Sequence, residues 1–404
     1  MQAPNAQQIV LLLLVASLVS MAARRLRLPA SSGLIAAGLA LAFLPHHGNG
    51  IGLTQQQLFT AFLPALIFES ALNLRASQLR TDWLPLTILA TAGVAINMAV
   101  TSLAMHFAAS WPWRTALLFG ALTSATDPIA VVATFKQAKV SGRPRLLAEA
   151  ESLANDGIAV VALGLVLLAS ANHGAAQYAS SAVSSLAITV GGGVGIGLAI
   201  GWLLSRLMGT VDDPLVETTL TFVGAYGAYF AADRIGGSGI LAATACGLVM
   251  GNYGILSGRY VTARGREIVE SLWEFVAFIA NALVFLLMGF NLSHAHVRES
   301  IVPVAAGIVS ALAGRAVAVY ASSALVSRTD RRIPIALQHI LIWGGQRGAL
   351  SLVLAVAVFP SAVDGRQLIT ATAGLVAFSI LFQGLTFEPI IKRLLKGSAP
   401  WTLT

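Results

Sequence analysis

Long apolar segments alternate with short polar connections along the whole chain. An α-helix needs about 20 apolar residues to cross the hydrocarbon core of a bilayer. Apolar segments that can cross lie at about residues 4–22, 28–45, 54–73, 83–109, 113–136, 144–170, 177–208, 213–233, 237–254, 265–291, 300–326, 333–358 and 365–391. The pattern predicts an all-α polytopic membrane protein with about 13 transmembrane helices in a single membrane domain over residues 1–404.

Two of the predicted helices, the fifth and the twelfth, are interrupted near their middles. In the fifth, Pro128 follows Asp127 and removes a backbone donor, and the twelfth carries a glycine-rich stretch at 343–348. Six helices, one linking helix and six more would place these two at equivalent positions in halves of opposite orientation. Broken helices at equivalent positions of inverted repeats mark a site at the middle of the membrane. We therefore predict two inverted six-helix repeats with broken crossing helices.

Composition supports the assignment to the membrane. Hydrophobic residues make up 56% of the 404 residues and charged residues 10%, whereas a soluble domain carries about 25% charged residues. Cys246 is the one cysteine, which excludes a disulfide framework within the chain and a cysteine-based metal site. No segment after Trp401 could form a soluble domain, so no soluble regulatory domain is expected in this chain.

The net charge of +8 is explained by the placement of the basic residues. With the C-terminus in the cytoplasm, the cytoplasmic connections hold 19 of the 25 Lys and Arg residues and the outer connections hold four. Basic residues concentrate in cytoplasmic loops of membrane proteins. We therefore predict a multi-pass protein of the cell membrane with its N-terminus outside. Anionic lipids, and not nucleic acid, are the expected partners of the basic residues.

Three acidic residues, Asp127, Glu151 and Asp156, lie inside the consecutive fifth and sixth predicted helices. An ionisable residue inside a membrane is costly and by default marks an ion or substrate path. Asp127 and Asp156 lie roughly 18–21 Å from the helix ends, near the middle of the bilayer. Ser152 is four residues before Asp156 and shares its helix face. Carboxylate, hydroxyl and freed carbonyl oxygens form a shell that suits a hard cation.

The neighbouring polar residues allow more than one role. Thr126 can offer its hydroxyl and its backbone oxygen to the cation. Asp127 is either a second ligand or a stabiliser of the helix break. Asn155 cannot point in the same direction as Asp156, but it could support Asp127 with an amide hydrogen bond.

The remaining intramembrane charges need partners. Glu151 and Arg347 are expected to form a buried ion pair, because each alone would be prohibitive in hydrocarbon. Arg315 is a further supporting cation, with Glu388 and Asp127 as candidate partners. Glu69 is either a gate near the inner mouth or a helix-packing residue.

No arrangement of residues suggests an enzyme. The chain contains no HExxH, GxSxG or P-loop motif, and no cofactor is expected.

The chain resembles the sodium/proton antiporters of the NhaP type, in the cation:proton antiporter superfamily that includes the animal exchangers. Four motifs carry the resemblance: Leu63-Pro64 with Phe68-Glu69 and Leu72-Asn73-Leu74; Ala125-Thr126-Asp127-Pro128; Glu151-Ser152-Leu153-Ala154-Asn155-Asp156-Gly157; and Gly344-Gly345-Gln346-Arg347-Gly348-Ala349. They cover the membrane domain in the family's order. Gln346 departs from the pattern, which has an aliphatic residue before the arginine.

The resemblance implies a homodimer of thirteen-helix subunits. It implies a dimerisation part at about 1–82 and 177–292 and a moving core part at about 83–170 and 300–396. It also implies that Asp156 carries both cation and proton, with Thr126, Asp127, Ser152 and Glu69 nearby. Glu151 and Arg347 would form the core salt bridge. The Asn155-Asp156 pair is the version associated with electroneutral exchange.

The expected function is therefore secondary active exchange of Na⁺, or Li⁺, for H⁺. Cation and proton would compete for Asp156, with Asp127, Thr126 and Ser152 as further Na⁺ ligands, and the core would make an elevator-like movement. A K⁺/H⁺ antiporter would use the same site. A sodium-coupled organic-anion symporter would need an additional substrate pocket, and a channel would conduct rather than exchange.

Overall fold

The computed structural model describes residues 6–26, 30–42, 55–169, 184–255, 263–292, 301–358 and 365–395, and their regular structure is helical. In chain order the helices are α1 (Ala6–Leu26), α2 (Ala30–Ala42), α3 (Gln55–Asn73), α4 (Ala76–Thr81), α5 (Trp83–Ala108), α6 (Trp113–Leu122), α7 (Pro128–Gln137), α8 (Arg143–Ala169), α9 (Ser184–Met208), α10 (Pro214–Arg234), α11 (Gly239–Ile255), α12 (Ala263–Leu292), α13 (Ile301–Val326), α14 (Ile335–Trp343), α15 (Ala349–Val358) and α16 (Gly365–Leu395).

Six stretches of the described chain are long and apolar enough to cross a membrane by length and composition. They are Trp83–Ala108, Arg143–Leu167, Ser184–Met208, Arg264–Leu286, Ile301–Val326 and Gly365–Leu395. The predicted α-helical membrane architecture is confirmed. The number of 13 spans and the inverted repeats stay predictions.

The chain divides into two compact units. The first comprises Met1–Leu58, Asp82–Ala159 and Asn281–Thr404, and the second comprises Phe59–Thr81 and Val160–Ala280. Residues 1–58 thus group with the segments that contain the broken helices. The division into a dimerisation part and a moving core part concerns function, and it stays a prediction.

Small residues let α9 and α11 pack closely in the second unit. A Cβ atom added to Gly197 would lie 2.2 Å from the carbonyl oxygen of Ala242, and one added to Gly201 would lie 3.0 Å from that of Cys246. Glycines spaced by four residues allow such close approach of helix backbones in membranes.

The first unit contains the two helix breaks. Helix α6 ends at Leu122, and the hydroxyls of the next two residues bind carbonyls inside it: Thr123 Oγ1 to Phe119 at 2.6 Å and Ser124 Oγ to Gly120 at 2.8 Å. Such local hydrogen bonds compete with the helical pattern. Pro128 then starts α7, because a proline fits the first position of a helix and not its interior.

Candidate functional site

The two helix breaks, at residues 123–127 and 344–348, lie against each other. The backbone N–H of Asp127 donates to the carbonyl oxygen of Gln346 at 2.7 Å. A Cβ atom added to Gly348 would lie 2.7 Å from both Cβ and Oδ2 of Asp127. The glycine is therefore needed here for close approach, and the two predicted interruptions form one structural feature.

Asp156 lies beside this feature. It is about 20 Å along α8 from the start of that helix at Arg143. The backbone N–H of Thr126 donates to Asp156 Oδ1 at 3.1 Å. Both side chains are almost fully buried, with 2% exposure for Thr126 and 4% for Asp156. The structure thus brings together three of the predicted site residues, Thr126, Asp127 and Asp156.

Two buried oxygen atoms of residues next to Asp156, one in space and one in sequence, have no hydrogen-bond partner among the described residues. They are Thr126 Oγ1 and Asn155 Oδ1. Ser152 is also buried, one helical turn before Asp156. A buried polar atom without a partner is costly, and an ion that accepts oxygen ligands would satisfy it. Within the ranges described above, no group of three or more His, Cys, Asp or Glu side chains could hold a metal ion.

Asp127 caps the second half of the broken helix. Its Oδ1 accepts a hydrogen bond from the backbone N–H of Ala130 at 3.3 Å. A carboxylate at this position satisfies a free N–H and interacts favourably with the positive end of α7. This contact supports the stabilising role of Asp127. Its second predicted role, as a cation ligand, stays a prediction.

Glu151 pairs with Arg315, so the predicted pair of Glu151 with Arg347 is wrong. Arg315 Nη1 and Nη2 lie 2.5 and 2.7 Å from the two oxygens of Glu151. Arg315 also donates to the carbonyl oxygen of Leu341 at 3.1 and 2.9 Å. Space for this side chain comes from Gly345, where an added Cβ would lie 2.6 Å from Arg315 Nε.

The partners proposed for Arg315 are also corrected. Glu388 pairs instead with Lys392, one turn along α16, at 2.5 Å. Asp127 takes the capping position, and the guanidinium of Arg315 is occupied by Glu151 and Leu341. The bidentate fit to a carboxylate is the geometry for which an arginine is best suited.

Arg347 binds backbone carbonyl groups of the first helix break and not the carboxylate of Glu151. Its Nη1 donates to the carbonyl oxygens of Ser124 at 3.2 Å and Ala125 at 3.1 Å. Its backbone N–H donates to Ser379 Oγ at 2.8 Å. The free carbonyls at a helix C-terminus carry partial negative charge, which a cation offsets.

Asn155 supports Glu151 and not Asp127. Its Nδ2 donates to Glu151 Oε1. The two residues are four apart on α8 and therefore lie on the same helix face. Asn155 thus helps to fix the carboxylate that holds Arg315.

Glu69 belongs to the second compact unit. Its Oε1 accepts a hydrogen bond from Asn73 Nδ2 at 3.0 Å, within α3. Both predicted roles, as a gate or a helix-packing residue, stay predictions.

The sequence did not predict the contacts of two polar residues of α16, Ser379 and Gln383. Ser379 Oγ donates to Gln383 Oε1, and Gln383 Nε2 donates to the carbonyl oxygen of Trp343 at 3.2 Å. They lie in a π-helical turn, Ser379–Gln383, a local distortion that is frequent at functional sites. The available signal was the spacing of Ser379 and Gln383 by four residues inside an apolar helix.

Apolar helices, two adjoining helix breaks and a buried aspartate beside them define an α-helical membrane transporter. Residues 10–393 match the family described as "Sodium/hydrogen exchanger, transmembrane". The match spans nearly the whole chain, and the protein belongs to this family.

Similar proteins agree with this assignment. The chain is 37% identical over 385 residues to the low-affinity Na(+)/H(+) antiporter NhaS1 of Synechocystis sp., covering 93% of this chain and 72% of that protein. It is 33% identical over 400 residues to the Na(+)/H(+) antiporter NhaH of Halobacillus aidingensis, covering 96% and 97%. The structure of the sodium proton antiporter MjNhaP1 from Methanocaldococcus jannaschii has a TM-score of 0.72 at 19% identity, covering 96% of this chain and 98% of MjNhaP1. This last likeness shows the fold.

Proposed function

We propose that the protein exchanges Na⁺ for H⁺ across the membrane. The observation that carries the proposal is the position of Asp156, buried beside two adjoining helix breaks and accompanied by oxygen atoms without hydrogen-bond partners. The relatives named as Na(+)/H(+) antiporters support the identity of the two ions.

The physical basis is the free-energy cost of a buried carboxylate that binds neither a cation nor a proton. A carboxylate out of water is unfavourable unless a positive charge or a proton compensates it. Asp156 would therefore be occupied by either Na⁺ or H⁺ whenever it crosses the membrane. Thr126 and Ser152 would supply further oxygen ligands to the cation, and Asp127 is a candidate for the same role. Competition for one carboxylate couples the two fluxes, because Asp156 crosses the membrane only while it carries one ion or the other.

The formal charges of the site favour electroneutral exchange. Apart from Asp156, the buried charged residues around the breaks are Asp127, Glu151, Arg315 and Arg347, whose formal charges cancel. Asn155 is uncharged and hydrogen-bonded to Glu151. With either a proton or a monovalent cation on Asp156, the site has the same net charge. One cation would then be exchanged for one proton without net charge movement.

The proposal includes features that the family resemblance suggests. The protein would be a homodimer, and the core part would carry the ion by an elevator-like movement. The N-terminus would lie outside the cell and the C-terminus in the cytoplasm. The basic residues of the cytoplasmic connections would contact anionic lipids.

The decisive variant is Asp156→Asn in proteoliposomes. We expect pH-gradient-driven Na⁺ uptake to be abolished, because the amide neither binds a proton in this range nor balances a cation. Asp330→Asn, which changes an exposed aspartate, is the matched control and should transport as the unaltered protein does. Persistent coupled transport by Asp156→Asn would contradict the assignment.

The same assay separates the alternative functions. Proton flux driven by K⁺ but not by Na⁺ or Li⁺ would indicate a K⁺/H⁺ antiporter. Sodium uptake that moves no protons would indicate symport with an organic anion. A rate that changes with an imposed membrane potential would contradict electroneutral exchange.

A further inference from the structure

Helix α8 carries a row of polar residues that leads to Asp156. Arg145, Glu149, Ser152 and Asp156 are separated by four, three and four residues. Residues with this spacing lie above one another on a single helix face. Glu149 is seven residues from Asp156, which is about 10 Å along the helix axis. The row begins at the basic end of α8, which the charge distribution places on the cytoplasmic side.

Glu149 is an acidic residue that lies buried in the protein. Its side chain is 8% exposed, and Arg145 Nε lies 3.5 Å from Glu149 Oε2. This distance is longer than the usual 2.7–2.9 Å of a charge-assisted hydrogen bond. Lys136, in the last turn of α7, is close enough to interact electrostatically with the same carboxylate. Glu149 therefore has two neighbouring cations, and its contact with Arg145 is longer than that of a tight ion pair.

Two other buried acids of the first unit, Glu151 and Asp82, are held differently. Glu151 is bound by both Nη atoms of Arg315, at 2.5 and 2.7 Å. Asp82 is bound by Arg143 with contacts of 2.7, 3.0 and 3.2 Å. These two carboxylates have the geometry of structural ion pairs. Glu149 has a longer contact to Arg145, whose side chain is 31% exposed and so can move toward solvent.

Helix α7 extends from the helix break beside Asp156 to the neighbourhood of Glu149. Helix α7 begins directly after Thr126 and Asp127, and Thr126 contacts Asp156. Its other end brings Lys136 near Glu149. Helices α7 and α8 therefore run side by side, with the helix break at one end of this stretch and Glu149 at the other. A carboxylate at this place offsets the positive charge of Arg145 and Lys136, which would otherwise repel a cation that approaches Asp156 from this side.

We propose that Glu149 captures the transported monovalent cation from the basic side of α8 and delivers it to Asp156. Arg145 competes with the cation for the carboxylate of Glu149, so it sets how strongly that carboxylate attracts an ion. This inference rests on the proposed cation exchange. It adds a cation-contacting residue outside the Asp156 site, on one side of the membrane only.

The test compares the two faces of the membrane. Na⁺-driven proton flux is measured at fixed pH in vesicles of either orientation, with the Na⁺ concentration varied on one face at a time. For Glu149→Gln we expect the apparent KM for Na⁺ to rise about fivefold to tenfold at the cytoplasmic face, because one nearby negative charge is lost. The maximal rate and the KM at the outer face should stay within twofold. Glu149→Asp keeps the charge and should restore most of the affinity.

Arg145 provides an opposite and independent readout. Arg145→Gln should lower the KM at the cytoplasmic face, because the competing cation is removed. In the double variant with Glu149→Gln, this gain should disappear. Glu270→Gln is the matched control: Glu270 forms the same pair with an arginine four residues before it, but both side chains are more than 40% exposed. It should change no kinetic constant.

The outcomes separate this inference from the proposed function. An unchanged cytoplasmic KM in Glu149→Gln, or an equal loss of rate from both faces, would overturn the capture role. A gain from Arg145→Gln that persists without Glu149 would do the same. If Glu149→Gln does not fold, Glu149→Asp and Arg145→Gln still decide the question. Retained transport in Asp156→Asn would instead overturn the exchange mechanism itself.

Discussion

The buried pair of Glu151 and Arg315 offers the sharpest test of the structure. Its energy can be measured by a double-mutant cycle with Glu151→Gln and Arg315→Gln. Each single change leaves one buried charge without its partner, and a loss of this kind costs about 3–5 kcal/mol. Arg315→Gln also removes the guanidinium that binds the carbonyl oxygen of Leu341 at 3.1 and 2.9 Å. We expect this variant to be the less stable of the two.

The double variant should be far more stable than the sum of the two losses predicts. With both charges gone, no isolated charge is left in the interior, so we expect a coupling energy of about 1.5–3 kcal/mol. The measurement is the free energy of unfolding of the purified protein in mixed micelles with increasing SDS, and transport is recorded in parallel.

A second cycle, with Glu151→Gln and Arg347→Gln, serves as the control. Arg347 contacts carbonyl oxygens of Ser124 and Ala125 and not the carboxylate, so its coupling to Glu151 should be clearly smaller. Equal coupling in both cycles, or additive losses for Glu151 and Arg315, would refute the pairing described here.

Two further changes probe the contact between the helix breaks. Gly348→Ala places a methyl group 2.7 Å from Asp127, so we expect a loss of about 1–3 kcal/mol in unfolding free energy together with reduced transport. Gly195→Ala, where the added Cβ would meet no packed neighbour within 4 Å, should leave transport unchanged and should not lower stability, because alanine favours a helix more than glycine does. A similar loss there would show that the effect at Gly348 does not come from its contact with Asp127. Ser379→Ala removes the acceptor of the backbone N–H of Arg347, which should cost about 1–2 kcal/mol by the same measurement. A stability equal to that of the unaltered protein would show that this hydrogen bond is dispensable.

The sequence predicted those features that depend on position along one helix. The helix break before Pro128 follows from the missing backbone donor. The proximity of Thr126 to Asp156 follows from the equal depths of two consecutive antiparallel helices. The contact of Asn155 with Glu151 could also have been predicted, since their spacing of four places them on one face of α8.

The choice between Arg315 and Arg347 could not be made in this way. Both arginines lie far from Glu151 in the sequence, within apolar helices, and helical periodicity does not specify how separate helices pack. Packing determines which arginine reaches Glu151. Gly345 has no side chain, and the side chain of Arg315 fills the space beside it. Arg347, two residues further on, binds the free carbonyls that follow α6.

Arg315 and Arg347 both donate hydrogen bonds to backbone carbonyl oxygens at or after the end of a broken helix. Arg347 covers the carbonyl oxygens that follow α6, and Arg315 covers that of Leu341 near the end of α14. Uncovered carbonyl groups at a helix C-terminus attract metal ions. Fixed guanidinium groups at both places already occupy these oxygens, so these carbonyl groups are not open to a cation that approaches Asp156.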